Sequence, residues 1–199
     1  MNKSESKYFN TARFFDEALI NILNKKEYQF ITVKEICKEA GVNRSTFYLH
    51  YETINDLLEE TIEYYENKFF FSFQNQQSDF VNQITTIEFA KLDLITPAYL
   101  TPYLTYVKEN KKLFKAFIGH PKTMNADKSY RQLSERIFMP ILSRFNIPAA
   151  KQPFYISYFI HGMMAIMEEW IKEGCMTPID EVIEIITNCV KHTNNGSII

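Results

Sequence analysis

The chain of 199 residues is 46% hydrophobic and carries a formal net charge of −2. A chain of this size can bury a sizeable core in one or two domains, and its near-neutral charge excludes binding of nucleic acid through a uniformly basic surface. Glycine and proline are scarce, at five and seven residues, and no long alternating pattern of apolar and polar residues indicates strands. We therefore predict an all-α fold.

Charge is distributed unevenly along the chain. Residues 1–50 hold eight Lys and Arg against six Asp and Glu, whereas the remainder is acidic overall. A mildly basic N-terminal third is typical of a DNA-binding module joined to a second domain.

The N-terminus lacks a signal peptide pattern, and the longest apolar run (154–167) is too short for a membrane span. Three cysteines without a CxxC motif indicate a reducing compartment. We expect a cytoplasmic protein with no membrane contact.

The first predicted helix is amphipathic and runs from Thr11 to Lys26. We expect its apolar face to close a three-helix core over Ile36, Phe47 and Tyr51. The residues of this face recur with helical spacing: Phe15, Ala18, Leu19, Ile22 and Leu23.

A second, short helix is indicated between Thr32 and Gly41. Thr32 and Glu35 have the spacing of a capping box, and Ile31 and Ile36 have that of a hydrophobic staple. Gly41 supplies the left-handed residue on which such a helix ends without a Cβ penalty.

A third helix follows at once, with Asn43 as its predicted N-cap and with Phe47 and Tyr51 on its inner face. Two helices joined by a tight glycine turn predict a helix-turn-helix, whose second helix enters the major groove of DNA. The run GVNRSTFYLHYETINDLL, residues 41–58, resembles the DNA-binding signature of the tetracycline-repressor-like (TetR/AcrR) transcription regulators. This resemblance implies a helix-turn-helix domain at residues 1–52, followed by a larger helical ligand-binding and dimerisation domain at residues 53–199.

The outer face of the third helix holds the predicted DNA-reading side chains. At about 100° per residue, Ser45 and Leu49 point outward while Thr46 and Tyr48 lie on the flanks. Arg44 lies in the first turn, the part of a recognition helix that meets base edges. An arginine there can bond guanine O6 and N7 together.

Further DNA contacts are implied by the resemblance. In the family, positions matching Tyr48 and His50 contact phosphates and the position of Lys34 gives a polar or basic contact; the alternative is that Tyr48 and His50 pack against the next helix. Many members carry lysine where this chain has Ile54, which predicts weaker phosphate binding here, although Thr53 can cap the fourth helix and leave amides for an anion. The predicted DNA-binding residues are Thr32, Lys34, Asn43, Arg44, Ser45, Thr46, Tyr48, Leu49, His50 and Thr53.

The fourth predicted helix begins after Thr53 and continues to about Phe70, so that one rigid helix links both domains. A polar cluster at 74–79 predicts a loop after it. Beyond it the second domain is predicted as helices separated by prolines, with a kink at Pro140 and a frayed tail from Asn194. The predicted helices are 80–92, 103–110, 112–118, 129–145, 154–173 and a last one from Thr177-Pro178 to about 191.

The last two predicted helices carry more apolar surface than one buried face requires. The helix 154–173 has two apolar stripes, with the small residues Gly162 and Ala165 between them. Such a helix is either central or shared with a partner. In the family the final two helices pair with their copies, which implies a homodimer; the alternative is burial of both helices within one subunit. The implied interface residues are Ile156, Ile160, Met163, Met167, Trp170, Ile179, Val182, Ile183, Ile186 and Val190.

Aromatic residues make up 15% of the chain, and most lie beyond the predicted helix-turn-helix domain. Aromatic and methionine stripes are more often plain core, so a ligand cavity rests mainly on the resemblance, which implies an unknown small-molecule effector. We predict a largely apolar ligand with one polar group near His161 or His120. The predicted ligand residues are Tyr65, Phe69, Tyr103, Phe114, Phe117, His120, Phe159, His161 and Met163.

Motifs of enzyme chemistry are absent from the sequence: it contains no GxSxG elbow, no GxxxxGK[ST] phosphate loop and no HExxH pair. We therefore predict no catalysis, no metal site and no cofactor. The predicted function is a homodimeric regulator that binds a pseudo-palindrome of double-stranded operator DNA, as a repressor released by its ligand. Two alternatives stay open: a regulator of the same fold that activates or answers to a partner protein, and a helix-turn-helix that docks proteins without DNA.

Overall fold

A computed structural model describes residues 3–76, 96–144 and 146–191, and every regular element within these ranges is helical. The all-α prediction is therefore confirmed. The helix predicted at 80–92 and the tail predicted from Asn194 lie outside the described residues. The described helices are α1 (Lys3–Leu23), α2 (Val33–Ala40), α3 (Arg44–His50), α4 (Ile54–Gln76), α5 (Pro97–Glu109), α6 (Lys111–Gly119), α7 (Ala126–Leu133), α8 (Met139–Arg144), α9 (Gln152–Lys172) and α10 (Ile179–Lys191).

Helices α1 and α4 extend well beyond one of their predicted ends. Helix α1 begins at Lys3, eight residues before the predicted start at Thr11. Helix α4 continues to Gln76, three residues into the stretch predicted as a loop. Polar residues do not by themselves end a helix, because a solvent-facing turn needs no apolar side chains.

In the second half of the chain, the effect of the prolines on the helices differs from the prediction. Helix α5 begins with Pro97 in its first turn and continues through Pro102, so the predicted start at Tyr103 is wrong. Where we predicted a kink at Pro140, a π-helical turn (Ser134–Phe138) joins α7 to α8. Such a wider turn accommodates the backbone bond that a proline cannot make.

The described residues form two compact units. One consists of the described residues of Met1–Lys68 and Lys112–Ala126, and the other of those of Phe69–Lys111 and Asp127–Ile199. Helix α4 contributes its first part to one unit and its last part to the other.

The described core of the first unit is built mainly from α1, α2, α3 and α4. Phe15 and Leu19 of α1 are fully buried and pack in one cluster with Ile36, Phe47 and Tyr51, as the sequence predicts. Residues of the later segment 112–126 also belong to this cluster: Leu113, Ala116, Phe117 and Met124.

In the second unit, α10 packs against α5, and α9 packs against α8. Ile156 and Ile160 of α9 are buried in a cluster with Leu142. The indole N–H of Trp170 donates to the Thr177 carbonyl at 2.9 Å, which fixes the turn between α9 and α10. Within the described ranges, no helix combines the length and the apolar character that crossing a membrane requires.

Candidate nucleic-acid interface

Helix α2 begins with the predicted capping box. The Glu35 amide donates to the Thr32 hydroxyl at 3.3 Å, and the Thr32 amide donates to the Glu35 carboxylate at 3.0 Å. The Lys26 ammonium donates to the same carboxylate at 2.7 Å, and this bond is the main reason why the pKa of Glu35 falls to about 2. Ile31 and Ile36 flank the cap and are both buried, as a hydrophobic staple requires. The start of α2 is therefore determined locally.

Gly41 closes α2 in the left-handed conformation, with φ at 69° and ψ at 29°. Its amide bonds back to α2, and the Val42 amide donates to the Cys37 carbonyl at 3.0 Å. This turn aims the chain directly into α3, as in a helix-turn-helix. Asn43 occupies the predicted N-cap position of α3. Its side chain, however, makes no capping hydrogen bond.

Helix α3 presents one face to the core and the other to solvent. Phe47 is fully buried and meets the rings of Phe15 and Tyr51 at centroid distances of 5.5 Å and 5.6 Å. Leu49 is 79% exposed and Tyr48 is 50% exposed. Arg44 and Ser45 are exposed and Thr46 is half-buried, so the predicted outer face is the exposed one.

The Arg44 guanidinium is held along the helix surface by Tyr48. Its Nη2 donates to the Tyr48 hydroxyl at 3.1 Å, one helical turn away, and this bond raises the pKa of Arg44. Both side chains are exposed. A guanidinium that is already oriented in this way loses less freedom when it binds a partner.

His50 lies at the last turn of α3, and its ring packs against α1. Its ring stacks on Tyr8 at a centroid distance of 4.0 Å, and the ring of Phe15 approaches it at 5.7 Å. Burial lowers the pKa of His50, so the neutral ring is favoured near pH 7. A neutral His50 ring carries one N–H donor and no permanent charge.

The start of α4 carries a second capping box, between Thr53 and Asp56. The Asp56 amide donates to the Thr53 hydroxyl at 3.2 Å, and the Thr53 amide donates to the Asp56 carboxylate at 2.8 Å. Ile54 is half-buried and packs on the core of the first unit. The acidic Asp56 at this helix start repels an anion such as a phosphate, and Ile54 supplies no positive charge to compensate.

Two of the predicted contacts, Thr32 and Lys34, lie at the start of α2. Lys34 is exposed in the first turn of α2, whereas Thr32 is exposed but has its hydroxyl committed to the capping box. The nearby Lys25 and Lys26 pair with Glu39 and Glu35 at 3.8 Å and 2.7 Å. Lys34 is thus better placed than these lysines to give a charge to DNA.

The sequence pattern did not predict the contact of Tyr8 with His50, nor a polar network between α1 and α4. In this network Arg13 pairs with Asp16 at 3.0 Å, and the Thr61 hydroxyl lies 2.8 Å from the other carboxylate oxygen of Asp16. Glu60 accepts a hydrogen bond from Tyr51 at 3.1 Å. The spacing of Asp16 on the apolar face of α1 was the available signal, since a buried acid requires partners.

The residues predicted to line a ligand site divide between the two units. Tyr65, Phe114, Phe117 and His120 belong to the first, and Phe69, Tyr103, Phe159, His161 and Met163 to the second.

In the first unit, His120 is committed to the end of α1. Its Nε2 lies 2.8 Å from the Leu23 carbonyl, and its Nδ1 lies 3.5 Å from the Glu27 carboxylate. In the second unit, Phe69 meets Tyr103 and Tyr106 at centroid distances of 6.0 Å and 5.4 Å. His161 is exposed, with its ring 6.1 Å from that of Tyr130.

Most residues predicted for the dimer interface are buried within the single chain. In the single chain these side chains pack within their own subunit. Met163, Ile179 and Val190 are half-buried. The buried residues of the predicted set are Ile156, Ile160, Met167, Trp170, Val182, Ile183 and Ile186.

Comparison with known proteins places this geometry in a family. Residues 17–61 match the family described as bacterial regulatory proteins, tetR family, and residues 97–192 match the transcriptional regulator C-terminal region of the type TetR_C_8. Together these matches cover more than half of the chain.

Individual proteins are also similar to this chain. A stretch of 47 residues is 43% identical to the uncharacterized HTH-type transcriptional regulator YxbF of Bacillus subtilis (strain 168); it is 24% of this chain and only 12% of that protein. The solved structure of the dihydroxyacetone kinase operon activator DhaS is similar over 92% of this chain and 95% of its own, with a TM-score of 0.54 and 17% identity, and so shares the fold. From the two family matches and the helix-turn-helix geometry, the chain belongs to the TetR family of DNA-binding transcriptional regulators, which are not enzymes.

Proposed function

We propose that this regulator reads its operator through the exposed face of α3. Arg44 contacts a base edge, Leu49 and the Thr46 methyl meet thymine methyl groups, and Tyr48 and His50 bind phosphates. The observation that carries this proposal is the division of α3, in which Phe47 is fully buried while Leu49 is 79% exposed. Leu49 thereby lies on the face offered to the groove, where apolar side chains contact thymine methyl groups.

The proposed assembly is a homodimer on a pseudo-palindromic site, with half-sites about 34–36 Å apart or a multiple of that distance. Because the predicted stripe is buried, the surface we assign to the partner is the opposite side of α9. Phe154 is 76% exposed and Tyr158 is 55% exposed. Gly162 and Ala165 continue this exposed side at helical spacing, and a methyl group at Gly162 would lie more than 4 Å from every described atom outside its own helix. Small residues there let the backbone of a second helix approach closely.

The proposed signal is a small, largely apolar molecule bound among the aromatic rings of the second unit. Phe69 of α4 contacts Tyr103 and Tyr106 of α5, and burial raises the pKa of Tyr103 so that its hydroxyl stays neutral. Since α4 is one continuous helix from Ile54 to Gln76, a ligand that displaces Phe69 acts on the helix that also packs behind α3. The proposed outcome is release from the operator, hence repression. Activation is the alternative, because the fold does not determine the sign.

The first experiment is selection of bound duplexes from a random-sequence DNA library by the purified protein. We expect an inverted repeat, which footprinting then locates upstream of a target gene. A reporter driven by that promoter, with and without the regulator, gives the sign of regulation. Selection of no sequence above background would refute specific DNA reading and would favour a helix-turn-helix that docks proteins.

A further inference from the structure

Tyr8 lies outside the helix-turn-helix but contacts its second helix, α3. It lies on α1, ahead of the residue where the amphipathic pattern starts, and its ring is 45% exposed. The ring stacks on His50 with a centroid distance of 4.0 Å and an interplanar angle of 17°. Face-to-face contact at this distance leaves the imidazole little freedom to rotate.

Two further aromatic rings lie near the His50 ring. Phe15 presents its edge at 5.7 Å, and Tyr51 lies at 5.8 Å. Within the described residues, His50 Nδ1 is buried and has no hydrogen-bond partner. A neutral imidazole carries one N–H, and a buried N–H without an acceptor is disfavoured. The proton therefore belongs on Nε2, which makes that nitrogen the donor.

We propose that Tyr8 is a positioning residue for recognition of the DNA backbone: its ring holds the His50 imidazole so that Nε2–H is presented to a phosphate. This inference rests on the proposed phosphate contact of His50. It adds a residue from α1 that does not have to touch DNA itself. A preset donor matters here because a neutral ring attracts a phosphate only through a well-directed hydrogen bond.

The test is a double-mutant cycle on a duplex that the wild-type protein selects from a random library. Affinity is measured by fluorescence anisotropy for Tyr8→Ala, His50→Ala and the double variant. We expect each single variant to bind roughly tenfold more weakly, since a hydrogen bond to a charged group is lost. The double variant should bind no more weakly than His50→Ala alone. Tyr8→Phe, which keeps the stacked ring, should bind as the wild type does.

Phe14→Ala is the matched control, because it removes a ring of 52% exposure from the same helix without touching His50. It should bind as the wild type does, and thermal unfolding of each variant separates misfolding from loss of contact. If Tyr8→Ala weakens binding equally in the wild-type and His50→Ala backgrounds, the proposal is overturned, since Tyr8 would then act on its own. Unchanged binding by His50→Ala would overturn both the phosphate contact and the positioning role. Wild-type protein that selects no duplex would instead refute the proposed DNA function.

Discussion

The Thr61 hydroxyl lies 2.8 Å from a carboxylate oxygen of Asp16, a side chain that is only 1% exposed. The same hydroxyl lies 2.7 Å from the Leu57 carbonyl oxygen. A hydroxyl has one proton, so it cannot donate to both oxygens at once. When Asp16 is protonated it donates to Thr61, which donates to Leu57; when Asp16 is ionised the Thr61 proton turns to the carboxylate. This pair joins α1 to α4 behind the recognition helix.

Stability should therefore depend on pH through Asp16. Burial is the largest cause that raises the pKa of Asp16 to about 6, against bonding by Thr61 and the charge of Arg13, which lower it. Because the folded state holds this proton more tightly than the unfolded state, the contribution is fully present below about pH 4 and is lost as pH rises to about 6. The loss is about 3 kcal/mol at most. Urea unfolding followed by circular dichroism across this range measures it.

The variant that isolates this effect is Asp16→Asn, whose amide can still donate to Thr61 but cannot titrate. The difference in unfolding free energy between wild type and Asp16→Asn should change between pH 4 and pH 6 and level off above it. Glu63→Gln, which removes an exposed acid of α4, is the control and should follow the wild type. An identical pH dependence in wild type and Asp16→Asn would assign the titration to another group.

Arg44→Ala should weaken operator binding by about 1–3 kcal/mol and relax the preference at one base pair. The reason is the loss of a bidentate donor that Tyr48 already orients at 3.1 Å. Binding to a selected duplex and to each of its single-base variants measures both effects. Lys25→Ala removes a cation that is paired with Glu39, and it should preserve the base preference. Unaltered base preference in Arg44→Ala would move the reading role to another residue.

Tyr158→Glu should yield a folded monomer that binds operator poorly, because a carboxylate replaces an exposed ring at the proposed contact. Met167→Lys differs, because Met167 is fully buried and an unpaired ammonium there should unfold the subunit. Light scattering reports mass, and circular dichroism reports folding. Lys115→Glu, on the exposed surface of α6, should stay dimeric. A dimer of wild-type strength in Tyr158→Glu would place the partner on another surface.

Phe69→Ala should uncouple the effector from DNA while leaving the affinity of the free protein for DNA nearly unchanged. A hundredfold release requires about 2.7 kcal/mol of preference for one state, and Phe69 touches both Tyr103 and Tyr106. The probe is any compound that raises the melting temperature of the wild type and releases DNA from it. Phe71→Ala, an exposed ring of the same helix, should keep the response. If Phe69→Ala weakens DNA binding equally with and without the compound, Phe69 serves the core alone.

The helix-turn-helix is the part of this protein that its sequence determines by itself. The capping box at Thr32, the left-handed Gly41 and the box at Thr53 each depend on residues no more than four positions away. Amphipathic spacing likewise identified Phe47 as core and Leu49 as surface. Such short-range interactions do not depend on residues far away in the sequence, and the sequence pattern therefore agrees with the structure here.

Other features were decided only by the tertiary structure, because their partners lie far apart in sequence. His50 was predicted to face a phosphate or the following helix, yet its ring is fixed by Tyr8, forty-two positions earlier. The segment 112–126 joins the core of the first unit, although its sequence places it in the middle of the second domain. The strongest stripe of α9 and α10 is buried within one chain. Periodicity reports that a helical face is apolar, but only the packing of other helices decides whether that face meets its own chain, a partner or a ligand.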